Sequence, residues 1–383
     1  AHVAAMLYAS GAGFLIGSRW APGLIARVGH VRVFAALAAL ASVAILVPPL
    51  AVDPAVWGAM RLLTGLSFAG IFVVAESWLN DRATNATRGG LLAIYMTISF
   101  LGMALGQALL TVSSPEAADL FILVSILISL AVVPLLLSAA PVPATGLPRP
   151  TGVARLYAVS PLGVVGTFAA GLANGTVFGM GAVYASAAGF TVAETAAFMG
   201  ALILGAAALQ VPLGRLSDRF DRRRVITATT FAAGGVALLA AAGGELGTGG
   251  ILGLAALFGG LSLTIHSLCI AYTNDYLHRD EVLPASSTLV LILGVGSILG
   301  PVIAGWLMAA AGPGAFFHWL AGVHGGIGVF ALWRMAESPG PPEATQSRYT
   351  AAPARVSVLA AAAAEDASAE AAEDAAEAPS EPR

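Results

Sequence analysis

GRLSDRFDRRR, residues 214–224, packs five arginines and two aspartates into a chain of 383 residues that is 58% hydrophobic and 10% charged. Ordinary soluble domains are only about 45 to 50% apolar, and a mean hydropathy of +0.85 exceeds what a soluble core can hide. Lipid is therefore the main solvent of this chain, and a dense charge run marks a place where apolar surface ends.

Outward from that run, apolar windows recur between short polar stretches. A helix of roughly 20 apolar residues crosses a bilayer. Eleven such windows are predicted: 2–18, 33–50, 55–78, 90–112, 119–139, 157–186, 194–213, 225–243, 250–274, 285–311 and 314–334. They lack the alternation of a membrane barrel and exceed its strands of about 10 residues. The fold class expected is an all-α polytopic membrane protein.

The connections alternate in charge. Those at 19–32, 80–89, 140–156, 214–224 and 277–284 hold the arginines, among them Arg19, Arg27, Arg32, Arg82, Arg88, Arg149, Arg155 and Arg279; those near 51–54, 114–118, 187–193, 244–249 and 312–313 hold none and offer Asp53, Glu116 and Glu245. Positive loops stay inside, so the first set is expected in the cytoplasm, beneath the cell inner membrane.

The chain also repeats itself. At an offset of 194, FLGMALGQALL (100–110) falls on GVGSILGPVIA (294–304), and Asn80 and Asp81 fall on Asn274 and Asp275. At an offset of 192, PGLIARVGHVR (22–32) falls on GRLSDRFDRRR, pairing Arg27 with Arg219 and Arg32 with Arg224. Two halves of one plan follow. The loop comes after two spans in the second half and after one in the first, so a first helix is expected ahead of residue 2, and the intended plan is six plus six. The domains expected are a half at 1–139, a linker at 140–156, a half at 157–335 and a disordered cytoplasmic tail at 336–383.

The run GRLSDRFDRRR resembles the loop G-x-L-x-D-R-x-G-R-R of the major facilitator superfamily, and MRLLTGLSFAGIFVVAESWLNDRATNATRGGLLAIYM (60–96) resembles its YcaD-like branch, with Arg61, Gly65 and Glu76 at the branch's positions. The resemblance implies two six-helix halves related by pseudo-two-fold symmetry, rocking about a central site. The first-half loop departs from the motif at Pro22 and Ala26, the second at Asp221. Pro301 after Gly300 is similar to part of the Gly-Pro pair that antiporters of the superfamily carry in the fifth helix, yet it lies in the eleventh, with Gln107 at the fifth-helix place.

Function candidates follow from charge at depth, because a charged side chain inside a bilayer is costly unless it meets partners or water. Asp218, with Arg219 and neighbouring helix ends in reach, reads as a conformational latch together with Gly214, Arg222, Arg223, Arg27 and Arg32; these arginines also satisfy the positive-inside rule alone. Arg61 is either a cavity group for an anionic solute or proton relay, or a structural tie. Glu76 lies about 22 Å along the same helix and within about 60° of that face; it lines a path, or pairs with Arg82 or Arg88. His266 is a proton-coupling candidate or a hydrogen-bonded core histidine. Asn174, Tyr95 and Gln107 are further polar candidates. Gly65, Gly102, Gly106, Gly296, Gly300 and Pro301 are read as helix-packing positions.

The chain has no lysine, so it holds no phosphate-binding G-x-x-x-x-G-K motif, and its single cysteine, Cys269, lies in a span. No cofactor, metal or nucleic-acid partner is expected. From 343 onward the tail has eight acids and three arginines, leaving 13 acids and 15 arginines elsewhere. The expected protein is a monomeric, non-enzymatic secondary transporter that exports a small organic solute against protons. A facilitator or proton symporter, or a sensor acting through its tail, are the alternatives.

Overall fold

The computed structural model describes residues 2–82, 85–137, 152–243, 246–277, 279–337 and 349. The side chains of 80–90, most of the 140–156 linker and the tail apart from Tyr349 lie outside the described residues, and with them Arg82, Arg88 and Arg149.

Among the described residues every regular element is helical. The first half holds α1 (His2–Val28), α2 (His30–Leu46), α3 (Pro54–Arg82), α4 (Asn85–Leu109) and α5 (Asp119–Leu136). After a short α6 (Val153–Val159) come α7 (Pro161–Ala187), α8 (Val192–Arg219), α9 (Arg222–Ala242), α10 (Gly247–Ser262), α11 (Ile265–Asn274), α12 (Arg279–Ala311) and α13 (Ala315–Glu337). Among the described residues eight segments are long and apolar enough to cross a bilayer, with α10 and α11 counted as one, while His30–Leu46 and Ile94–Leu109 are shorter apolar helices. Leu130, Leu239 and Trp306 point outward at 60%, 60% and 70% exposure, as side chains solvated by lipid tails do.

One window is revised. The span expected at 157–186 begins at Pro161, because Ser160 leaves helical backbone (φ −137°, ψ 75°) and Pro161 opens a new helix at its first turn. The window 250–274 holds as one span, Gly247–Asn274, in which Leu263 and Thr264 keep right-handed backbone between α10 and α11 and the Thr264 hydroxyl donates to the Gly260 carbonyl at 2.6 Å.

The repeat seen in the sequence holds at backbone level. In the first half α1 crosses α3 so closely that a Cβ on Gly13 would overlap the Leu62 carbonyl, and one on Gly65 the Ser10 carbonyl. In the second half α8 crosses α10 the same way, Gly205 against the Ala256 carbonyl and Gly259 against that of Leu202. Offsets of 192 and 194 carry each member of the first set onto its counterpart. Glycine is required because the neighbour is backbone, which cannot rotate away.

Within the first half α2 is tied to α5 by Ser42 and Ser125, whose hydroxyls are 2.6 Å apart. The second half closes around a buried cluster of Tyr184, Phe198, Phe258, Phe316 and Phe317, with Tyr184 and Phe316 stacked at 4.9 Å between ring centroids. The halves meet near mid-span: Leu15 lies over Gly294, and Phe100, Met103 and Ala104 of α4 pack on Ile203 and Ala206 of α8.

Candidate functional site

On the arginine-rich side, Arg222 organises the stretch 214–224. Its Nη1 donates to both oxygens of Asp275 at 2.9 Å and to the Ala271 carbonyl at 2.9 Å, and its Nη2 to Asp218 Oδ1 at 3.1 Å. The Arg222 and Asp275 side chains are 1% and 0% exposed. A buried arginine is tolerable here because its charge and fork of donors are matched by two carboxylates. The network thus binds α8, α9 and the end of α11.

Asp218 pairs with Arg222, not with the exposed Arg219 expected from the sequence. The i, i+4 spacing brings them together where the chain turns from α8 into α9. Its partners also belong to one half, so the ion pairs hold that half together instead of bridging the two. Asp221, where the motif has glycine, caps α9: its Oδ1 accepts from the Arg223 amide at 2.9 Å, and its other oxygen lies 3.2 Å from the Arg223 guanidinium. Arg27 and Arg32 are exposed and form no ion pair among the described residues.

Asp275 is the member that sequence reasoning left out of the site. The repeat had aligned it with Asp81, and that coincidence of two acids was the available signal. Tyr349 was missed as well. Its backbone amide donates to Asp218 Oδ1 at 2.7 Å, and its ring lies on Gly214, where a Cβ would overlap it.

Deeper in the first half, Glu76 is 2% exposed and accepts a hydrogen bond from the Tyr95 hydroxyl at 3.1 Å. These two candidates are brought together. Arg61 stands apart toward the opposite membrane side, exposed, beside a small recess lined by Pro48, Trp57, Thr64 and Phe121. Gln107 is half-buried on α4.

In the second half Asn174 is 2% and His266 0% exposed, and neither side chain has a hydrogen-bond partner among the described residues. His324 of the same half, by contrast, has its Nε2 2.8 Å from Ser262 Oγ. α7 and α11 run side by side here, with Gly163 at Thr273 and Gly166 at Cys269.

The packing glycines divide. Gly65, Gly296 and Gly300 face carbonyls of Ser10, Phe168 and Leu172, and Pro301 is buried beside them. Gly102 and Gly106 instead meet nothing within 4 Å of a built Cβ. Small-residue spacing on α4 has no helix against it among the described residues, where α4 turns its packed face, Phe100 and Met103, to α8.

Known proteins bear on this arrangement. The profile of the Major Facilitator Superfamily matches residues 163–365. The uncharacterized MFS-type transporter YcaD of Escherichia fergusonii is 28% identical over 271 residues, covering 70% of this chain and 69% of its own. That of Salmonella typhi is 26% identical over 333 residues, covering 86% and 85%. In structure, a variant of the nucleoside transporter NupG superposes with a TM-score of 0.71 at 12% identity over 87% of this chain and 90% of its own. A bacterial homologue of the lysosomal transporter Spinster, inward-facing and occupied, superposes at 0.63 and 17% identity over 88% of each. With the glycine crossings repeated in both halves and the family profile spanning more than half the length, the chain belongs to the Major Facilitator Superfamily, in its YcaD-like branch.

Proposed function

We propose that this transporter exports a small organic solute in exchange for protons, by alternating access between two halves at 1–139 and 157–335 joined by the 140–156 linker. The arginine-bearing loops and the 336–383 tail then face the cytoplasm, and the membrane is the cell inner membrane. The protein works as a monomer and performs no covalent chemistry.

The observation that carries the proton reading is Glu76, a carboxylate 2% exposed within a span and held by the Tyr95 hydroxyl at 3.1 Å. A carboxylate at that depth changes its cost steeply with its charge, so proton binding there biases one conformation over another. Arg61, on the same helix toward the outer side, supplies positive charge for an anionic solute. Asn174 and His266, buried with unpartnered polar atoms, are the corresponding solute contacts of the second half.

The test is collapse of an imposed pH gradient in inside-out vesicles against a library of small organic solutes, with Glu76→Gln and Arg61→Ala alongside. Solute-dependent collapse that Glu76→Gln removes is expected. Solute flux that survives Glu76→Gln at full rate overturns proton exchange and leaves a facilitator. No solute response together with a phenotype that depends on the tail instead indicates a sensor.

A further inference from the structure

The five arginines of 214–224 divide by what holds them. Arg222 is matched by Asp218 and Asp275, and Arg223 by Asp221. With those acids taken, Arg215, Arg219 and Arg224 are exposed and form no ion pair or hydrogen bond among the described residues. Three guanidiniums at the end of a membrane helix therefore lack an anion, although no side chain is better shaped to take one.

The first half repeats the arrangement. At the offset of 192, Leu24, Arg27, Val28 and Arg32 fall on Leu216, Arg219, Phe220 and Arg224, and every one of them is exposed: Leu24 and Leu216 at 42% each, Val28 at 46% and Phe220 at 57%. Arg27 and Arg32 also lack a partner among the described residues. Large apolar side chains bare beside unpaired arginines, in both copies, are what a surface needs where hydrocarbon gives way to headgroups.

Helix geometry decides which way these surfaces look. Ile203 of α8 packs with Phe100 of the first half, and Gly11 of α1 lies against Ile298 of the second. Arg219 and Arg27 each follow sixteen residues later, about 160° around their helix, so both stand on the side away from the other half. Along that outer side α8 exposes Leu204 and Val211 ahead of its arginines, and α1 exposes Ile16 and Trp20. Leu204 to Arg215 and Ile16 to Arg27 are each eleven residues, or about 16 Å of helix within about 20° of one face. One leaflet of hydrocarbon is about 15 Å thick, so an acyl chain on either track ends with its headgroup among the arginines.

We propose that these two surfaces are sites for an anionic phospholipid, its tail on the apolar track and its phosphodiester held by the arginines. Arg215 and Arg219 are i, i+4 neighbours about 6 Å apart at Cβ, close enough to grip one phosphate together. Gly23 stands where the second half has Arg215, so the second-half site is the tighter of the two. The occupant is a lipid and not a soluble anion because the unpaired charge sits at the end of an apolar track that only a tail covers. Nothing in this depends on the transport reading.

The test is native mass spectrometry of the purified chain in detergent, titrated with phosphatidylglycerol or with phosphatidylcholine of the same acyl chains. Phosphatidylglycerol is expected to bind at least about tenfold more tightly, since each arginine near a headgroup is worth about fivefold in affinity. Arg215→Gln/Arg219→Gln should remove most of that preference and leave phosphatidylcholine binding unchanged. Arg27→Gln/Arg32→Gln should remove a second, weaker class of bound lipid. All four side chains are exposed and unpaired among the described residues, so these variants keep the fold, which their melting curves check.

Arg334→Gln is the control for charge alone, because Arg334 is already paired with Glu337. An equal loss in that variant would show a response to net charge and overturn the sites. Equal affinity for the two lipids in the unaltered protein overturns them as well. Inorganic phosphate that displaces phosphatidylglycerol at comparable concentration would make this a soluble-anion site and overturn the lipid assignment. No solute is needed, so failure to find transport leaves every outcome readable.

Discussion

Arg222 Nη1 stands 2.9 Å from both carboxylate oxygens of Asp275, with 1% and 0% of the two side chains exposed. They are 53 residues apart in sequence and join the start of α9 to the end of α11.

Removing one partner of a buried pair strands the other charge, at about 3 to 5 kcal/mol. Arg222→Ala is therefore expected to lower the thermal stability of the purified protein sharply, and Asp275→Ala comparably. The double variant Arg222→Met/Asp275→Leu should recover most of the loss. Unfolding in detergent of the three variants checks this, and a double variant no more stable than either single one would show that the stranded charge is not what costs the stability.

Helix crossings give a cleaner contrast. A Cβ on Gly300 would overlap the Leu172 carbonyl, and overpacking of that kind costs about 1 to 3 kcal/mol. Gly300→Ala should lose stability by that amount. Gly102→Ala and Gly106→Ala meet open space, so the gain in helix propensity, about 0.5 to 1 kcal/mol, is left unopposed. Their midpoints should stay level or rise.

His266 and Asn174 separate stability from activity. Burying polar atoms without partners costs about 1 to 3 kcal/mol each, so His266→Leu and Asn174→Leu should keep or raise the unfolding midpoint. If these side chains contact solute or proton, the same variants lose the pH-gradient response. Loss of stability with unchanged transport would assign both to packing.

Tyr95→Phe removes the hydroxyl that Glu76 accepts and preserves ring shape. A hydrogen bond to a charged acceptor is worth about 1.5 to 3 kcal/mol; a stability loss within that range and slower gradient collapse are expected. Glu76→Gln keeps an acceptor for Tyr95, so its stability should change less than its transport. Melting curves and flux on the same preparations decide this.

Much of the architecture was readable in the chain because lipid enforces a simple code. Every backbone polar group must be satisfied within its own helix at bilayer depth, so apolar windows and helices nearly coincide. The errors fall where that code is silent. Ser160 and Pro161 split a window that carries no charge to mark the break. Gly102 and Gly106 had the right spacing and the wrong surroundings, since spacing says which residues share a face and not whether a helix lies against it.

By itself the sequence determined that this is a membrane protein built twice over, which loops carry positive charge, and that residues 214–224 mark a special turn, because composition, periodicity and repetition act within one helix or one half. Only the tertiary structure decided that Arg222, and not Arg219, holds Asp218, that Asp275 completes the network, and that Tyr349 comes back across 131 residues to the same carboxylate. Those choices depend on which helix ends meet in three dimensions, and in so arginine-rich a stretch every guanidinium is an equal candidate until packing buries one of them.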